Sequence, residues 1–341
     1  MRGRAGGQLR RVLSVFRAAD HRRSVWTGRD GRTHFKGSGP RWQDPERVRF
    51  YLGASAAAVA LYGAFCYKNS QVVPYSGRSH VVMTSPRTDA YLGDRAAVQI
   101  VAQARQRGAL LPPHHKLSML VQRVGEALTR VVEEGARKGE GGGFQEHLAS
   151  VQWRFYVIDE PVANAFATAG GSVVIYTGLI NLMQNVDDLA AVMAHELAHI
   201  VARHSGERMT RSLMSMPAQI FISLGAGLPP GFGSVFLELP QSRQNEMEAD
   251  SIGLQIMSKA CFDPAAMGRV FAALDIAAKK SMGGTPPKLL STHPPSKDRV
   301  KAAAEQAPSS LPLTQNARCF DFRRRLGLTP IGDVTGALPG W

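Results

Sequence analysis

The chain has 341 residues, of which 44% are hydrophobic and 20% charged, a length and composition that allow a sizeable buried core. Its formal net charge of +14 is uneven, because residues 1–49 carry 13 Lys or Arg against four acids. Three cysteines are too few for a disulfide-rich scaffold. Since the positive charge is concentrated in the leader and no nucleic-acid-binding motif accompanies it, we expect no nucleic-acid partner.

The leader and the apolar run behind it predict a targeting signal and an anchor. Residues 1–49 are rich in arginine and poor in acidic and apolar residues, which is typical of an organelle transit peptide. Residues 50–67 are uncharged, and as a helix they span roughly 27 Å, enough to cross a bilayer core. A buried soluble helix is the alternative. We expect residues 68–91 to be a linker.

The next elements are two helices and two strands. Residues 95–107 and 116–137 have amphipathic helical periodicity. Residues 151–158 resemble a strand, and residues 172–177 are β-branched and apolar after two glycines. We expect these two strands to pair.

A metal-binding pattern lies in the segment from Asn185 to about Glu207, which predicts one buried helix capped by Asn185. Within it is His195-Glu196-Leu197-Ala198-His199. Histidines four residues apart share a helix face and can bind one ion, while the adjacent glutamate can take a proton from water. A structural histidine pair is the alternative. His204 points off this face on a continuous helix, so we expect it to be structural or on the surface.

The apolar stretch 216–239 is broken by prolines and glycines into pieces too short to span a bilayer. A core helix followed by a loop is one interpretation of it. An apolar flap at the membrane surface is the other, which we favour.

A third metal ligand is predicted after this stretch. Ser242 is expected to cap a helix on which Glu246 and Asp250 share a face. Glu246 can bind the metal, and Asp250 can accept the free ring N–H of a ligating histidine. Glu248 points about 200° away from Glu246 and is predicted to be a solvated charge. Two histidines and a glutamate form a donor set that Zn²⁺ uses in proteins.

Further helices are predicted towards the C-terminus. Asp263-Pro264 opens a helix that runs to about Lys280, and His293 precedes a helix from Pro294 to Glu305. Residues 308–341 are expected to form an irregular, basic tail.

These motifs resemble the gluzincin metalloproteases, in the group that contains the HtpX proteases and the CAAX prenyl proteases. The resemblance covers roughly residues 92–307. It rests on four motifs, namely His195–His199, Glu246-x-x-Ala249-Asp250, Asn164–Leu179, and Ser291–Pro295 with Arg299. It implies an α+β, mainly helical fold, in which a gluzincin-type domain with a small β-sheet follows one transmembrane helix.

The resemblance also implies roles for individual residues. One zinc ion per chain is held by His195, His199 and Glu246, and Glu196 is the general base. His293 donates to the developing oxyanion, and Arg299 steadies Glu246 or the oxyanion. In this group an edge strand beside the metal pairs with extended substrate, which assigns substrate binding to Asn164, Ser172, Val173 and Val174. An ordinary core strand is the alternative for this segment.

The implied activity is that of a membrane-anchored zinc endopeptidase that cleaves membrane proteins during quality control or stress. The implied address is the mitochondrial inner membrane, with a chloroplast membrane as the alternative. Arg47 and Arg49 predict the N-terminal side in the matrix, so that the catalytic domain faces the intermembrane space. A proteolytically inactive scaffold or chaperone is the rival function, and a homo-oligomer is left open.

Cys261 and Cys319 could form a disulfide in the intermembrane space, with two buried free thiols as the alternative.

Overall fold

The computed structural model describes residues 25–27, 31, 33–35, 45–226, 232–280, 289, 293, 297–310 and 317–325. The chain divides into two compact units, Met1–Cys66 and Tyr67–Trp341. The expected fold class is confirmed, since the described residues are mainly helical with small β-sheets and one long apolar helix near the N-terminus.

The first unit contains a short hairpin and most of the apolar helix. Strand β1 (Val25–Thr27) pairs antiparallel with β2 (Thr33–Phe35), and helix α1 spans Pro45–Lys68. The part from Val48 to Lys68 has a mean hydropathy of 1.4, and none of it is buried within the molecule. The helix predicted at 50–67 is therefore confirmed and begins five residues earlier. The first 24 residues of the transit peptide lie outside the described residues.

The segment predicted as a linker is folded. Strands β3 (Ser70–Val72) and β4 (Ser79–Val81) form an antiparallel hairpin, and helix α2 (Pro86–Gln106) begins nine residues before its predicted start. The linker expectation for residues 68–91 is wrong because Arg78 in the hairpin turn binds two buried carboxylates that lie 129 and 170 residues further along the chain. Sequence patterns give no sign of such distant pairing.

One three-stranded sheet lies in the second unit, with β5 (Arg154–Ile158), β7 (Ser172–Tyr176) and β6 (Ala165–Ala167) side by side in that order. The predicted pairing of β5 with β7 is confirmed and is parallel. β6 pairs antiparallel with the other side of β7, with Ala165 opposite Ile175. The expectation that residues 172–177 form an exposed edge is therefore wrong, because both sides of β7 are already hydrogen-bonded.

The helices of the second unit surround α5, which is buried on nearly every side. Every residue of Val186–Val201 is buried except His199. Alanines at four positions let neighbouring helices approach closely. The described helices after α2 are α3 (Lys116–Lys138), α4 (Thr177–Ile180), α5 (Val186–Val201), α6 (His204–Ala226), α7 (Phe232–Lys259), α8 (Ala266–Lys280), α9 (Lys297–Ser310) and α10 (Ala317–Arg325).

Helix α5 ends at Val201, six residues before its predicted end. Arg203 adopts a left-handed conformation with φ of 54°, and α6 starts at the next residue. The buried Arg203 guanidinium donates to the Gln71 side chain, the Thr84 carbonyl and Asp89. These bonds hold a backbone conformation that a non-glycine residue rarely adopts. The break changes where the side chains of α6 point.

Helix α7 begins at Phe232, ten residues before Ser242. The prediction that Ser242 is its N-cap is therefore wrong. Pro240 lies inside α7 and Pro217 inside α6. A proline removes one backbone hydrogen bond and kinks a helix without always ending it. The stretch 216–239 thus forms parts of two helices, joined by residues outside the described part. Its contact with a membrane stays a prediction.

The prediction of an irregular C-terminal tail is wrong for Ala317–Arg325, which form helix α10. A disulfide joins Cys319 of α10 to Cys261, whose Cα atoms are 5.1 Å apart. The buried Arg323 makes a bidentate ion pair with Asp187, with N–O distances of 2.7 and 2.8 Å. Phe322 packs edge-on against Phe262. A covalent bond and a buried ion pair therefore hold this helix, although its own sequence is polar and basic.

Candidate metal centre

Helix α5 places two histidines and a glutamate at the centre of the second unit. Asn185 caps the helix as predicted and accepts a hydrogen bond from Asp188 N at 3.0 Å. His195 and His199 lie one turn apart, and their Nε2 atoms are 3.2 Å from each other. Both rings therefore point at the same place.

Helix α7 brings Glu246 to the same place. Its carboxylate oxygens lie 3.4 Å from His195 Nε2 and 3.6 Å from His199 Nε2. Ligands bound tetrahedrally to one zinc ion at about 2.0–2.1 Å are about 3.3 Å apart. The spacing and the chemistry of these three donors, of which His195 and Glu246 are buried, therefore fit a single Zn²⁺, the predicted cofactor.

His293 joins this group from the segment before α9. Its Nδ1 lies 2.9 Å from Glu246 Oε2 and 3.2 Å from His195 Nε2, and its Nε2 lies 3.5 Å from Glu196 Oε1. The four donors of His195, His199, Glu246 and His293 all lie within 4.8 Å of one another. His293 thus stands between the metal donors and the predicted base, within reach of either role.

Asp250 and Arg299 lie directly behind the donors. Asp250 Oδ1 is 2.8 Å from His195 Nδ1, on the side of the ring away from Glu246. Arg299 binds both carboxylate oxygens of Asp250 at 2.7 and 2.8 Å, and its Nη1 is 3.1 Å from Glu246 Oε2. One guanidinium therefore links the predicted third ligand to the carboxylate that contacts the first.

The charges in this cluster shift one another's protonation. Burial disfavours the charged form of His195, but the hydrogen-bonded carboxylates of Asp250 and Glu246 outweigh it and raise the pKa of His195 to about 10. Burial raises the pKa of Glu246, whereas hydrogen bonds from His195 and His293 lower it, and the net result is a pKa well below the usual range. The site thus favours a carboxylate at Glu246 and positive charge beside it, which a bound cation would supply.

Glu196 faces the sheet with one oxygen. Its Oε2 accepts a hydrogen bond from Ala167 N of β6 at 3.1 Å. Its Oε1 is buried and accepts no hydrogen bond from the described residues. One oxygen therefore fixes the side chain while the other is available to take a proton.

The four residues predicted to bind substrate do not lie on a free edge. Ser172, Val173 and Val174 are buried in the central strand β7. Asn164 is buried as well, and its carbonyl accepts from Tyr176 N at 3.1 Å. The strand edge next to Glu196 belongs to β6, which is too short at three residues to stand out in the sequence.

His204 and Glu248 are buried, so the solvated charge predicted for Glu248 is wrong, and of the two alternatives for His204 the surface position is wrong while the structural one remains. Only 2% of His204 and 7% of Glu248 are exposed. His204 Nδ1 lies 2.7 Å from His199 Nδ1, and its Nε2 lies 3.0 Å from Glu248 Oε2. This contact was not predicted from the sequence, because the prediction placed His204 on a helix that continues past Val201.

Glu248 and Glu207 share one arginine. Arg78 donates to both oxygens of Glu248 and to both oxygens of Glu207. Burial raises the pKa of Glu248, but hydrogen bonds from His204, Arg78 and Ser76 lower it to about 2. The hairpin β3–β4 is thereby attached to α6 and to α7, the helix that carries Glu246.

The sequence is similar to known metallopeptidases over most of its length. It is 31% identical to the mitochondrial metalloendopeptidase OMA1 of Schizosaccharomyces pombe over 299 residues, which cover 86% of this chain and 82% of that protein. The Saccharomyces cerevisiae protein of the same name is 31% identical, over 75% and 74% of the two chains. The Escherichia coli beta-barrel assembly-enhancing protease is 33% identical over 49% of this chain and 37% of its own.

A family model agrees with these relatives. The model of peptidase family M48 matches residues 124–307, more than half of the chain, and this range contains every donor described above. The predicted metalloprotease resemblance is confirmed: the chain belongs to peptidase family M48.

Proposed function

We propose that this zinc metalloendopeptidase is anchored in the mitochondrial inner membrane and cleaves membrane proteins there, in quality control or the response to stress. The observation that carries the proposal is the meeting of His195, His199 and Glu246 around one point, with Glu196 beside them. The apolar helix α1, in which no residue from Val48 to Lys68 is buried, and the mitochondrial names of the relatives support the address.

In the proposed mechanism, His195, His199 and Glu246 hold the metal. A bound zinc ion supplies Lewis acidity, which polarises a carbonyl and acidifies water. Glu196 uses its free Oε1 to accept a proton from the attacking water, while Ala167 N holds its other oxygen. The same oxygen then delivers the proton to the amine nitrogen that leaves when the peptide bond breaks.

Asp250 and His293 support this step from two sides. Asp250 Oδ1, 2.8 Å from His195 Nδ1, is the proposed acceptor for the Nδ1–H, which would leave the Nε2 lone pair for the metal, and Arg299 holds Asp250 with two hydrogen bonds. His293 Nε2, 3.5 Å from Glu196 Oε1, donates to the oxygen of the attacked carbonyl as negative charge develops on it.

We propose that substrate pairs with the outer edge of β6. The inner side of β6 bonds to β7, whereas Ala167 N points away from β7 to Glu196. An extended peptide that adds to this edge lies next to the base and is held by its backbone, whatever its sequence. This suits an enzyme that cleaves several different proteins.

The test uses the full chain in lipid vesicles with an unfolded membrane protein as substrate. Glu196→Gln is expected to keep one zinc per chain and lose cleavage, because the amide cannot accept the proton. Glu246→Gln is expected to lower zinc content. Cleavage by Glu196→Gln at the parent rate would overturn the mechanism. Stable capture of inner-membrane proteins by Glu196→Gln in mitochondria would identify substrates, whereas absence of cleavage by the parent would favour a scaffold.

A further inference from the structure

The second metal-binding histidine has a partner that the proposed mechanism does not use. His199 Nδ1 faces away from Glu246 and lies 2.7 Å from Nδ1 of His204. His204 Nε2 in turn lies 3.0 Å from Glu248 Oε2. All three side chains are largely buried, and the chain of contacts runs in one direction away from the metal donors.

With both imidazoles neutral, the hydrogen-bond chemistry of this chain of contacts allows one arrangement of protons. A carboxylate only accepts, so Glu248 accepts from His204 Nε2–H. A neutral imidazole that donates from Nε2 has a bare Nδ1, which therefore accepts from His199 Nδ1–H. His199 then has a bare Nε2, and this is the atom 3.6 Å from Glu246 Oε1.

Glu248 is itself held in place. Arg78 Nε donates to its two oxygens at 3.1 and 2.9 Å, and Ser76 hydroxyl donates to Oε1. Arg78 is held in turn by Glu207, with bonds of 2.9 and 2.8 Å. The acceptor at the end of the chain therefore has a fixed position, which a positioning role requires.

We propose that His204 and Glu248 are positioning residues, which fix the ring of His199 and direct its bare Nε2 at the metal. This inference rests on the proposed function, since it assumes that His199 binds zinc. The pair serves His199 as Asp250 serves His195, with an imidazole inserted between the ring and the carboxylate. Glu248 is 44 residues from His204, and the two meet because α7 packs against α6.

The test measures zinc affinity by competition with a chelator in the full chain. His204→Phe removes the acceptor and is expected to weaken zinc binding roughly 10- to 100-fold, as loss of such a partner typically does. His204→Asn places its side-chain oxygen near the position of Nδ1 and is expected to restore binding to within about threefold of the parent. His204→Gln places its amide one atom further out and is expected to bind as weakly as His204→Phe.

A matched control separates positioning from loss of packing. His147→Phe removes another buried histidine, which contacts the α5 backbone at Ile200 O and no donor ring. It is expected to lower thermal stability and leave zinc affinity unchanged. The Co²⁺-loaded His204→Phe protein is expected to show altered visible bands, whereas His147→Phe is expected to keep those of the parent.

Parent-like zinc binding by His204→Phe would overturn the proposal, as would equal affinities of the Asn and Gln variants. If His204→Phe does not fold, the comparison of Asn with Gln still decides. The zinc content of the parent and of Glu246→Gln tests the proposed function separately. If those two behave as expected and the His204 variants match the parent, only the positioning role fails.

Discussion

His293 lies where two chemical roles meet, because one ring nitrogen is 2.9 Å from Glu246 and the other 3.5 Å from Glu196. We predict that His293→Phe lowers kcat about 10²- to 10³-fold, as loss of one oxyanion donor typically does, and leaves one zinc bound. The measurement pairs cleavage kinetics with zinc stoichiometry on the same sample.

The same experiment separates the two roles of His293. A donor to the oxyanion contributes only in the transition state, so its loss lowers kcat and leaves substrate affinity alone. If zinc affinity falls instead, His293 is a metal ligand, as its place among the four donors also allows. His293→Gln, which retains a donor of similar reach, is expected to recover part of the rate.

His147 makes the stability of the fold depend on pH. It is 6% exposed, its Nε2 lies 3.0 Å from the Ile200 carbonyl, and burial lowers its pKa from 6.5 to about 4. As pH falls below 6.5 the unfolded chain takes up a proton first, so stability is lost from about pH 6.5 down to pH 4. We predict a loss of about 2 kcal/mol between pH 7 and 5 from this group.

The control for this effect is His147→Gln, which can keep the bond to Ile200 O and does not titrate. Urea unfolding of both proteins at pH 7 and pH 5 measures the difference. Any weakening of zinc binding at low pH affects both proteins alike and cancels in the comparison. An equal loss in the parent and the variant would show that His147 is not responsible.

Helix α10 is joined to the first turn of α5 by an ion pair. Arg323 is buried against Asp187, which also accepts from Asp263 N at 2.9 Å. We predict that Arg323→Met lowers the free energy of unfolding by about 3 kcal/mol, because it leaves a buried carboxylate without its cation. The exposed neighbour Arg324 is the matched control, and Arg324→Met is expected to change it by less than about 0.5 kcal/mol.

A double variant checks the cause. Asp187→Asn together with Arg323→Met removes both charges, while the amide oxygen can still accept from Asp263 N. It is expected to be more stable than Arg323→Met alone, because no buried charge is left unpaired. If the double variant is the less stable of the two, lost packing and not the unpaired charge explains the effect of Arg323→Met.

Elements that carry their own local signal were predictable from the sequence. The cap at Asn185, the 3.6-residue periodicity of α5 and the β-branched run of β7 needed no distant partner. Arg203 and α10 could not be predicted, because each depends on residues far away in sequence, and the three residues of β6 are too few to give a periodic signal. The left-handed backbone of Arg203 is stabilised by its side-chain bond to Asp89, and α10 is held by Asp187 and Cys261. Strand β6 is defined by its pairing with β7.

The residues of the site likewise fall into those that could be predicted from the sequence and those that could not. Glu196 and the ligand candidates could be predicted because their spacing is imposed by the metal and by helix geometry. The environment of His204 and Glu248 could not, since it follows from the break at Arg203 and from the hairpin that supplies Arg78. Helical periodicity predicts where a side chain points only while the helix is continuous, and α5 ends before His204.

Charge and apolar residues are distributed along the chain in the order that a targeted membrane protein needs. Residues 1–49 carry a net +9 of the chain's +14, from 13 basic and four acidic side chains. Helix α1 follows at once, and its part from Val48 to Lys68 has a mean hydropathy of 1.4 and contains no buried residue. An apolar helix that exposes large side chains such as Leu52, Val59 and Leu61 is unstable in water, and a bilayer removes that penalty.

Since basic residues are retained on the matrix side of a transmembrane helix, Arg47 and Arg49 predict that the N-terminal end of α1 lies in the matrix. We therefore predict that the metal centre faces the intermembrane space. We predict that the protein stays in the membrane pellet after carbonate extraction. In mitochondria whose outer membrane is ruptured, added protease is expected to degrade a C-terminal epitope while a matrix marker stays intact. Protection of that epitope until detergent is added would reverse the orientation, and release by carbonate would mean that α1 does not span the bilayer.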